Sequence, residues 1–139
     1  MFNFAVKYLA FFKFIPLVPW IFDTMILLWN FFFNPRLLKV IGKIEEQASA
    51  WPGMNTGIHK FGGVQFNFND KEIGHIHSNG ILDILFNTKV KSELVNKGWV
   101  KDHHIFKNSG WISFYIKGES DFEHALSLLK LSYDRRKGL

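Results

Sequence analysis

The chain opens on an almost continuously apolar run and then changes to shorter, alternating patterns. Residues 1–33 carry only Lys7, Lys13 and Asp23 as charged positions and hold nine of the sixteen phenylalanines. Pro16, Pro19 and Asp23 interrupt the run. Phe14 to Phe33 is still about 20 residues, roughly 30 Å as a helix, which suffices to span a bilayer. A segment lying in the membrane interface fits as well, with Trp20, Trp29 and Tyr8 at headgroup depth and the lysines snorkelling. The third reading is a pair of core helices packed on the domain. The run is too long and aromatic for a signal peptide, and no small-x-small cleavage site follows. Membrane contact is the expectation, with a single span as its leading form. Arg36, Lys39 and Lys43 outnumber the preceding lysines, which favours a cytoplasmic location for the following domain.

Asn34-Pro35 reads as an N-cap followed by proline at the first helical position. Leu37, Leu38, Ile41, Ile44 and Ala48 then recur at helical spacing up to Trp51-Pro52-Gly53. Val64, Phe66 and Phe68 alternate with Gln65, Asn67 and Asn69, the period of a half-buried strand. Asn69-Asp70 turns the chain into a strand from Glu72 to His77, and Asn79-Gly80 turns it again into Ile81–Phe86. Thr88 is placed to cap a short helix ending at Lys97, with Gly98 after it. Trp99–Phe106 and Trp111–Ile116 read as strands. Ser120 and Glu123 have capping-box spacing before a last helix bearing Phe122, Ala125, Leu126, Leu129 and Tyr133. These elements predict an α+β fold: a mainly antiparallel sheet of about five strands backed by helices, preceded by the N-terminal hydrophobic helical segment. The division is an anchor over 1–33, an amphipathic connecting helix over 34–53 and a domain over 54–139.

Composition narrows the chemistry. The 139 residues include no cysteine, which removes disulfides and thiolate ligands or nucleophiles. The net charge of +5 is scattered and forms no stripe, so nucleic acid is not an expected partner. The chain has no Gly-x-Ser-x-Gly elbow, no phosphate-binding glycine loop and no His-Glu-x-x-His helix.

What remains is "EIGHIH", residues 72–77. On a regular strand His75 and His77 share a face with Ile73, while Glu72, Gly74 and Ile76 take the other. Glu72 is thereby separated from the histidines unless a bulge intervenes. Gly74 suggests close approach by another backbone or a ligand. A metal would need a third ligand from His59, His103, His104 or Asp83, and a lone His-x-His is a weak motif. On the residues alone, ordinary sheet histidines remain the competing reading.

Four stretches, "HKFGG" (59–63), "EIGHIHSNGILDILF" (72–86), "HHIFKNSGWISFYI" (103–116) and "LLKLSYDRR" (128–136), resemble the luciferase-domain family. Its members include small bacterial proteins and, more distantly, the fungal luciferases. The fungal likeness reduces to Glu72, His75 and His77, then Lys97-Gly98-Trp99, His103, Trp111, Tyr115 and Tyr133. Asp83 and "HKFGG" have no clear fungal counterpart, and the chain is much shorter than those enzymes. The resemblance implies oxygen-dependent chemistry on a flat, apolar or aromatic substrate, with no flavin or metal cofactor and with an N-terminal membrane segment.

On that resemblance His75 and His77 are the deprotonating, oxyanion-handling pair, with His103 as a third catalytic candidate. His59, Glu72, Asp83, Trp99, His104, Trp111 and Tyr115 are expected to line the substrate site. The expected partners are membrane lipid, through residues 1–33, and a small apolar or aromatic ligand. Two functions compete: a membrane-anchored, cofactor-independent oxygenase that is not itself a luciferase, and a non-catalytic, membrane-tethered binding or scaffolding module. Convergence of His75 and His77 with His103 or His104 on one concave apolar pocket would favour the enzyme.

Overall fold

The computed structural model describes residues 17–138. Helix α1 (Val18–Phe33) and helix α2 (Pro35–Ser49) meet at Asn34. Six strands follow: β1 (Met54–Ile58), β2 (Val64–Phe68), β3 (Lys71–Ile76), β4 (Ile81–Leu85), β5 (Lys101–Asp102) and β6 (Trp111–Tyr115). Helix α3 (Thr88–Asn96) lies between β4 and β5, and helix α4 (Phe122–Lys137) closes the chain. The sheet is antiparallel throughout, in the order β1-β2-β3-β4-β6-β5. The expected α+β class holds, with one strand more than anticipated. That strand, β1, has only one apolar residue at each end of Asn55-Thr56-Gly57 and sits at the sheet edge, so no alternation marks it.

One face of the sheet is covered by α2 and α4. Leu37, Val40, Ile41, Ile44 and Ala48 of α2, and Phe122, Ala125, Leu128, Leu129 and Tyr133 of α4, pack on Phe66, Ile76, Leu82, Ile84 and Ile112. Each such aliphatic side chain contributes roughly 1.5–3 kcal/mol by leaving water, and this face carries the fold. Gly74 lets the layers close. A Cβ there would lie 2.7 Å from the Asp83 backbone oxygen and 3.4 Å from Leu129 Cδ1, so the close approach is by protein.

Three local expectations are corrected. The strand foreseen over Trp99–Phe106 is only the two-residue β5, because His103 Nδ1 accepts from the N–H groups of Ile105 and Phe106, both at 3.1 Å, and folds the chain back. Helix α3 is capped by Asn87, not Thr88: its side-chain oxygen accepts the Val90 N–H at 2.8 Å. The Ser120–Glu123 capping box does not form. A 3₁₀ turn over Glu119–Asp121 leads into α4, and Asp121 Oδ2 accepts the Lys117 N–H at 2.7 Å.

Helix α1 has 16 residues, about 24 Å of helix, against a hydrocarbon core of about 30 Å. Among the described residues no helix is long and apolar enough to cross a membrane. The anticipated span over Phe14–Phe33 is therefore not supported; its first residues, and the rest of the leader up to Pro16, lie outside the described residues. Pro19 stands in the first turn of α1, where proline is tolerated.

Helix α1 turns its polar side chains inward. Asp23 accepts from the Ser78 backbone N–H at 3.2 Å and from the Ser78 hydroxyl at 2.9 Å. Asn30 Nδ2 donates to the Ser78 carbonyl at 2.8 Å, and Trp20 Nε1 donates to the Lys60 carbonyl at 2.9 Å. Gly62 makes room for this contact: its φ is +89°, and a Cβ there would fall 2.3 Å from Asp23 Cβ.

Candidate functional site

The face of the sheet away from α2 and α4 is polar, and its polar groups follow the strand register. Gln65 of β2 pairs with His75 of β3, His75 with Asp83 of β4, Asp83 with Ser113 of β6, and Ser113 with Lys101 of β5. Directly opposed residues on antiparallel strands put their side chains on one face about 5 Å apart. A single rung thus lines up an imidazole, a carboxylate and a hydroxyl.

A β-bulge adds Glu72 to this rung. Phe66 pairs with Gly74, but Asn67 pairs with Glu72, so Ile73 is an extra residue on β3. The insertion inverts the side-chain alternation before it. Ile73 enters the core, and Glu72 comes to the histidine face, against the expectation from regular strand parity. Its Oε1 lies 2.6 Å from His75 Nδ1 and 3.7 Å from His59 Nε2.

Asp83 is the centre. It is fully buried, and one oxygen, Oδ1, accepts from the Ser113 hydroxyl. The other, Oδ2, lies 3.4 Å from His75 Nε2, 3.4 Å from His103 Nε2 and 3.9 Å from His77 Nε2. Charge-assisted N–H···O bonds are about 2.7–2.9 Å long, so these are contacts; Oδ2 has no hydrogen-bond partner among the described residues. The His103 tautomer follows from its turn: Nδ1 accepts two backbone N–H groups, which leaves the hydrogen on Nε2, the nitrogen 3.4 Å from Asp83 Oδ2.

Loops fold over the rung and close it from water. His59, in the β1–β2 turn, stacks on His75 with ring centroids 3.7 Å apart and planes at 8°. The Trp111 ring lies 5.4 Å from His75 and 6.2 Å from His103. The loop after β5 is held by Lys91, a buried cation of α3. Its Nζ donates to the carbonyls of Lys107 at 2.6 Å and Ser109 at 3.0 Å and pairs with Asp102 at 2.9 Å. Of the three imidazoles around Asp83, His77 is the most exposed, with 21 % of its side chain in water against 9 % for His75 and 5 % for His103.

The environment drives the titrations apart. Burial, and then the neighbouring His75, lower His77 to about 4. His59 falls to about 4 for the same two reasons. Burial also works against His75, but Asp83 and Glu72 on its two nitrogens outweigh it and raise its pKa. For Asp83, burial is outweighed by His103, His75 and Ser113, which hold the carboxyl below its ordinary range. Glu72 is likewise lowered, His75 outweighing burial. His104, stacked 4.6 Å from His103, is lowered by burial and by that neighbour.

His59, Glu72, His75, His77, Asp83, His103, His104 and Trp111 thus form one neighbourhood. Trp99 and Tyr115 lie elsewhere in their contacts: Trp99 packs on His124 and under Lys97, and Tyr115 lies under Lys101. Sequence reasoning missed Ser113 and Lys91. Ser113 was legible in principle, standing two residues from Trp111 on an alternating strand. Nothing in the pattern marked Lys91 as buried. Two cavities, of about 340 and 210 Å³, lie elsewhere. The smaller, between α1 and α2, is lined by Leu27, Leu38, Ile41, Val64 and Ile76 and touches Ser78, the residue after His77. Neither is lined by a histidine.

Comparison with curated proteins and with solved structures gave no match. Residues 70–132, from the β2–β3 turn into α4, match the family model described as Luciferase domain. That stretch, which contains every group of the rung from Glu72 to Ser113, is similar to the luciferase-domain family.

Proposed function

We propose that this protein is an enzyme of the membrane surface that removes a proton from a small, flat, apolar substrate at the histidine rung. The observation that carries this is the meeting of three imidazoles, from His75, His77 and His103, on the one buried carboxylate of Asp83. Burying an ionised carboxylate is costly unless it is paired, and here one oxygen has no hydrogen bond among the described residues. Such unspent polar capacity is expected where a ligand completes the site.

His77, at the surface end of the cluster, accepts the proton. His75 and His103, backed by Asp83, face the anion that develops. In the oxygenase reaction that the family resemblance implies, the C–H electron pair stays on carbon, and the carbanion adds to molecular oxygen. The proton then goes to the distal peroxide oxygen, so atoms and electrons balance without a flavin.

Helix α1 supports placement at a membrane. Its polar residues are spent on Ser78 and Lys60, while Met25, Leu28, Trp29, Phe32 and Phe33 face outward, each more than half exposed. A helix packed on a soluble domain has the opposite polarity. An apolar face of this extent fits the acyl boundary of a bilayer, with α1 lying in the interface. The domain is then on the cytoplasmic side, as the basic residues of α2 suggest. The apolar cavity between α1 and α2 offers a seat for a substrate drawn from lipid.

A second reading has one observation in its favour: His59, His75 and His103 are buried in the sheet and its loops. In that reading the rung holds the sheet together and the protein is a membrane-tethered binding module. Oxygen uptake separates the two. Purified protein in detergent is given aromatic enols and pyrones, and His77→Ala is expected to abolish consumption. Binding of these compounds without any uptake by the wild type would favour the module.

A further inference from the structure

The geometry points to a divalent transition-metal site formed by His75 Nε2, His77 Nε2 and Asp83 Oδ2. Three observations on separate groups converge on it. Asp83 Oδ2 is fully buried, lacks a hydrogen-bond partner among the described residues and faces both imidazoles, at 3.4 Å from His75 and 3.9 Å from His77. Two ligands of a tetrahedral ion at 2.0–2.1 Å are about 3.3 Å apart, so these separations need only small side-chain adjustments to close on an ion.

The second observation is the outer layer. Glu72 Oε1 accepts from His75 Nδ1 at 2.6 Å, which leaves the lone pair of the neutral ring on Nε2, the nitrogen 3.4 Å from Asp83 Oδ2. A carboxylate on the far nitrogen is the usual support of a metal-bound histidine. Asp83 is oriented in the same way from behind by Ser113. The third is tautomer bookkeeping, which separates ligands from neighbours. His103 Nδ1 is committed to two backbone N–H groups, so its Nε2 carries the hydrogen and has no lone pair to offer an ion.

His59 also offers a ring nitrogen within 4.8 Å of those of His75 and His77. Its stack on His75, with planes at 8°, sets the two ring lone pairs side by side instead of toward a common point. Its Nδ1 also takes the Phe61 N–H at 3.4 Å. His59 is therefore a wall of the site.

Two imidazoles and one carboxylate leave coordination positions open. That donor set suits iron(II), manganese(II), cobalt(II) or zinc(II) and does not favour calcium or magnesium, which prefer all-oxygen sites. This inference rests on the reading of the rung as the reaction site. It departs from the cofactor-independent expectation by replacing bare His77 as proton acceptor with metal-bound water, whose pKa a divalent ion lowers.

The test needs no substrate. Full-length protein in detergent is stripped with a chelator and titrated with cobalt(II), followed by its visible ligand-field absorption and by calorimetry. One equivalent is expected to bind, with zinc(II) displacing it. His75→Ala, His77→Ala and Asp83→Asn are each expected to abolish stoichiometric binding. Glu72→Gln keeps all three ligands and weakens affinity by about 10–100-fold, so it reports even where a ligand variant fails to fold. His59→Ala retains binding. No binding by the wild type, or retention by His77→Ala or Asp83→Asn, overturns the site; loss in His59→Ala equal to that in His75→Ala overturns the assignment of ligands. Cobalt bound with no turnover of any substrate defeats the enzymatic reading and leaves the site standing. Turnover that persists in chelator, with no cobalt bound, does the reverse.

Discussion

His75 and Asp83 stand directly opposite each other on adjacent strands, with Nε2 of one 3.4 Å from Oδ2 of the other. The pair holds the central strands at the point where the β1–β2 turn and the loop after β5 fold over the sheet. Asp83→Ala removes the carboxylate and leaves Ser113 and the facing imidazoles without their acceptor. Breaking a buried pair by deleting one partner costs about 3–5 kcal/mol. Urea denaturation of the metal-free variant is expected to show a loss in this range. A change below about 0.5 kcal/mol, the size of an ordinary surface substitution, would mean that the rung does not organise the domain.

Acid sensitivity follows from the depressed histidines. Between pH 6.5 and about 4 the unfolded chain binds protons on His59 and His77, while the folded chain keeps both neutral. The unfolded state then holds more protons, so stability falls as pH falls through this window. His75, whose pKa is raised, contributes stability that is fully present below its unfolded value and does not oppose the slope there. Asp83 adds a further loss below about pH 4, where the unfolded carboxyl begins to take protons. Chelator-treated His77→Gln is expected to reduce the slope between pH 6 and 5 by up to about 1.4 kcal/mol per pH unit. An unchanged slope would place His77 in water.

Lys91 is predicted to control the loop that supplies His103. Lys91→Met keeps the length of the side chain but removes the ammonium group from two carbonyls and Asp102. Hydrogen bonds to a charged group contribute about 1.5–3 kcal/mol, so a comparable loss of stability is expected. Amide exchange over residues 103–110 should rise more than exchange in α4. Equal increases in both segments would show a global effect with no role specific to the loop.

Much of the helix-covered face was legible, because its periodicities are those of elements with one buried side. Leu37, Ile41 and Ile44 on α2, and Val64, Phe66 and Phe68 on β2, were readable for that reason. The site was legible in its residue types and only partly in its geometry. Regular parity placed Glu72 away from His75, and only the bulge at Ile73, a matter of pairing between strands, reverses it. The turn that ends β5 depends on His103 Nδ1 capturing two N–H groups, which spacing alone does not reveal. Helix α1 read as a membrane segment interrupted at Asp23, because Asp23 and Asn30 find their partners 55 and 48 residues away in sequence, on Ser78.

Interfacial seating of α1 gives a partition prediction. Replacing Phe32 and Phe33 with glutamate leaves the inward contacts of Trp20, Asp23 and Asn30 untouched while placing charge on the outward face. In flotation with anionic vesicles the wild type is expected to rise with lipid and the double variant to remain mainly in the dense fraction. Equal flotation would move the membrane contact away from this face.

The central claim, that the histidine rung removes a proton from carbon, is tested most directly by deuterium exchange. Aromatic ketones and pyrones with an enolisable C–H are incubated with the full-length protein in D₂O, and loss of the C–H signal is followed by NMR without oxygen. The wild type is expected to exchange deuterium into at least one of these compounds well above the buffer rate, and His77→Ala to return it to that rate. Exchange by the wild type and by His77→Ala at the same rate would contradict the claim.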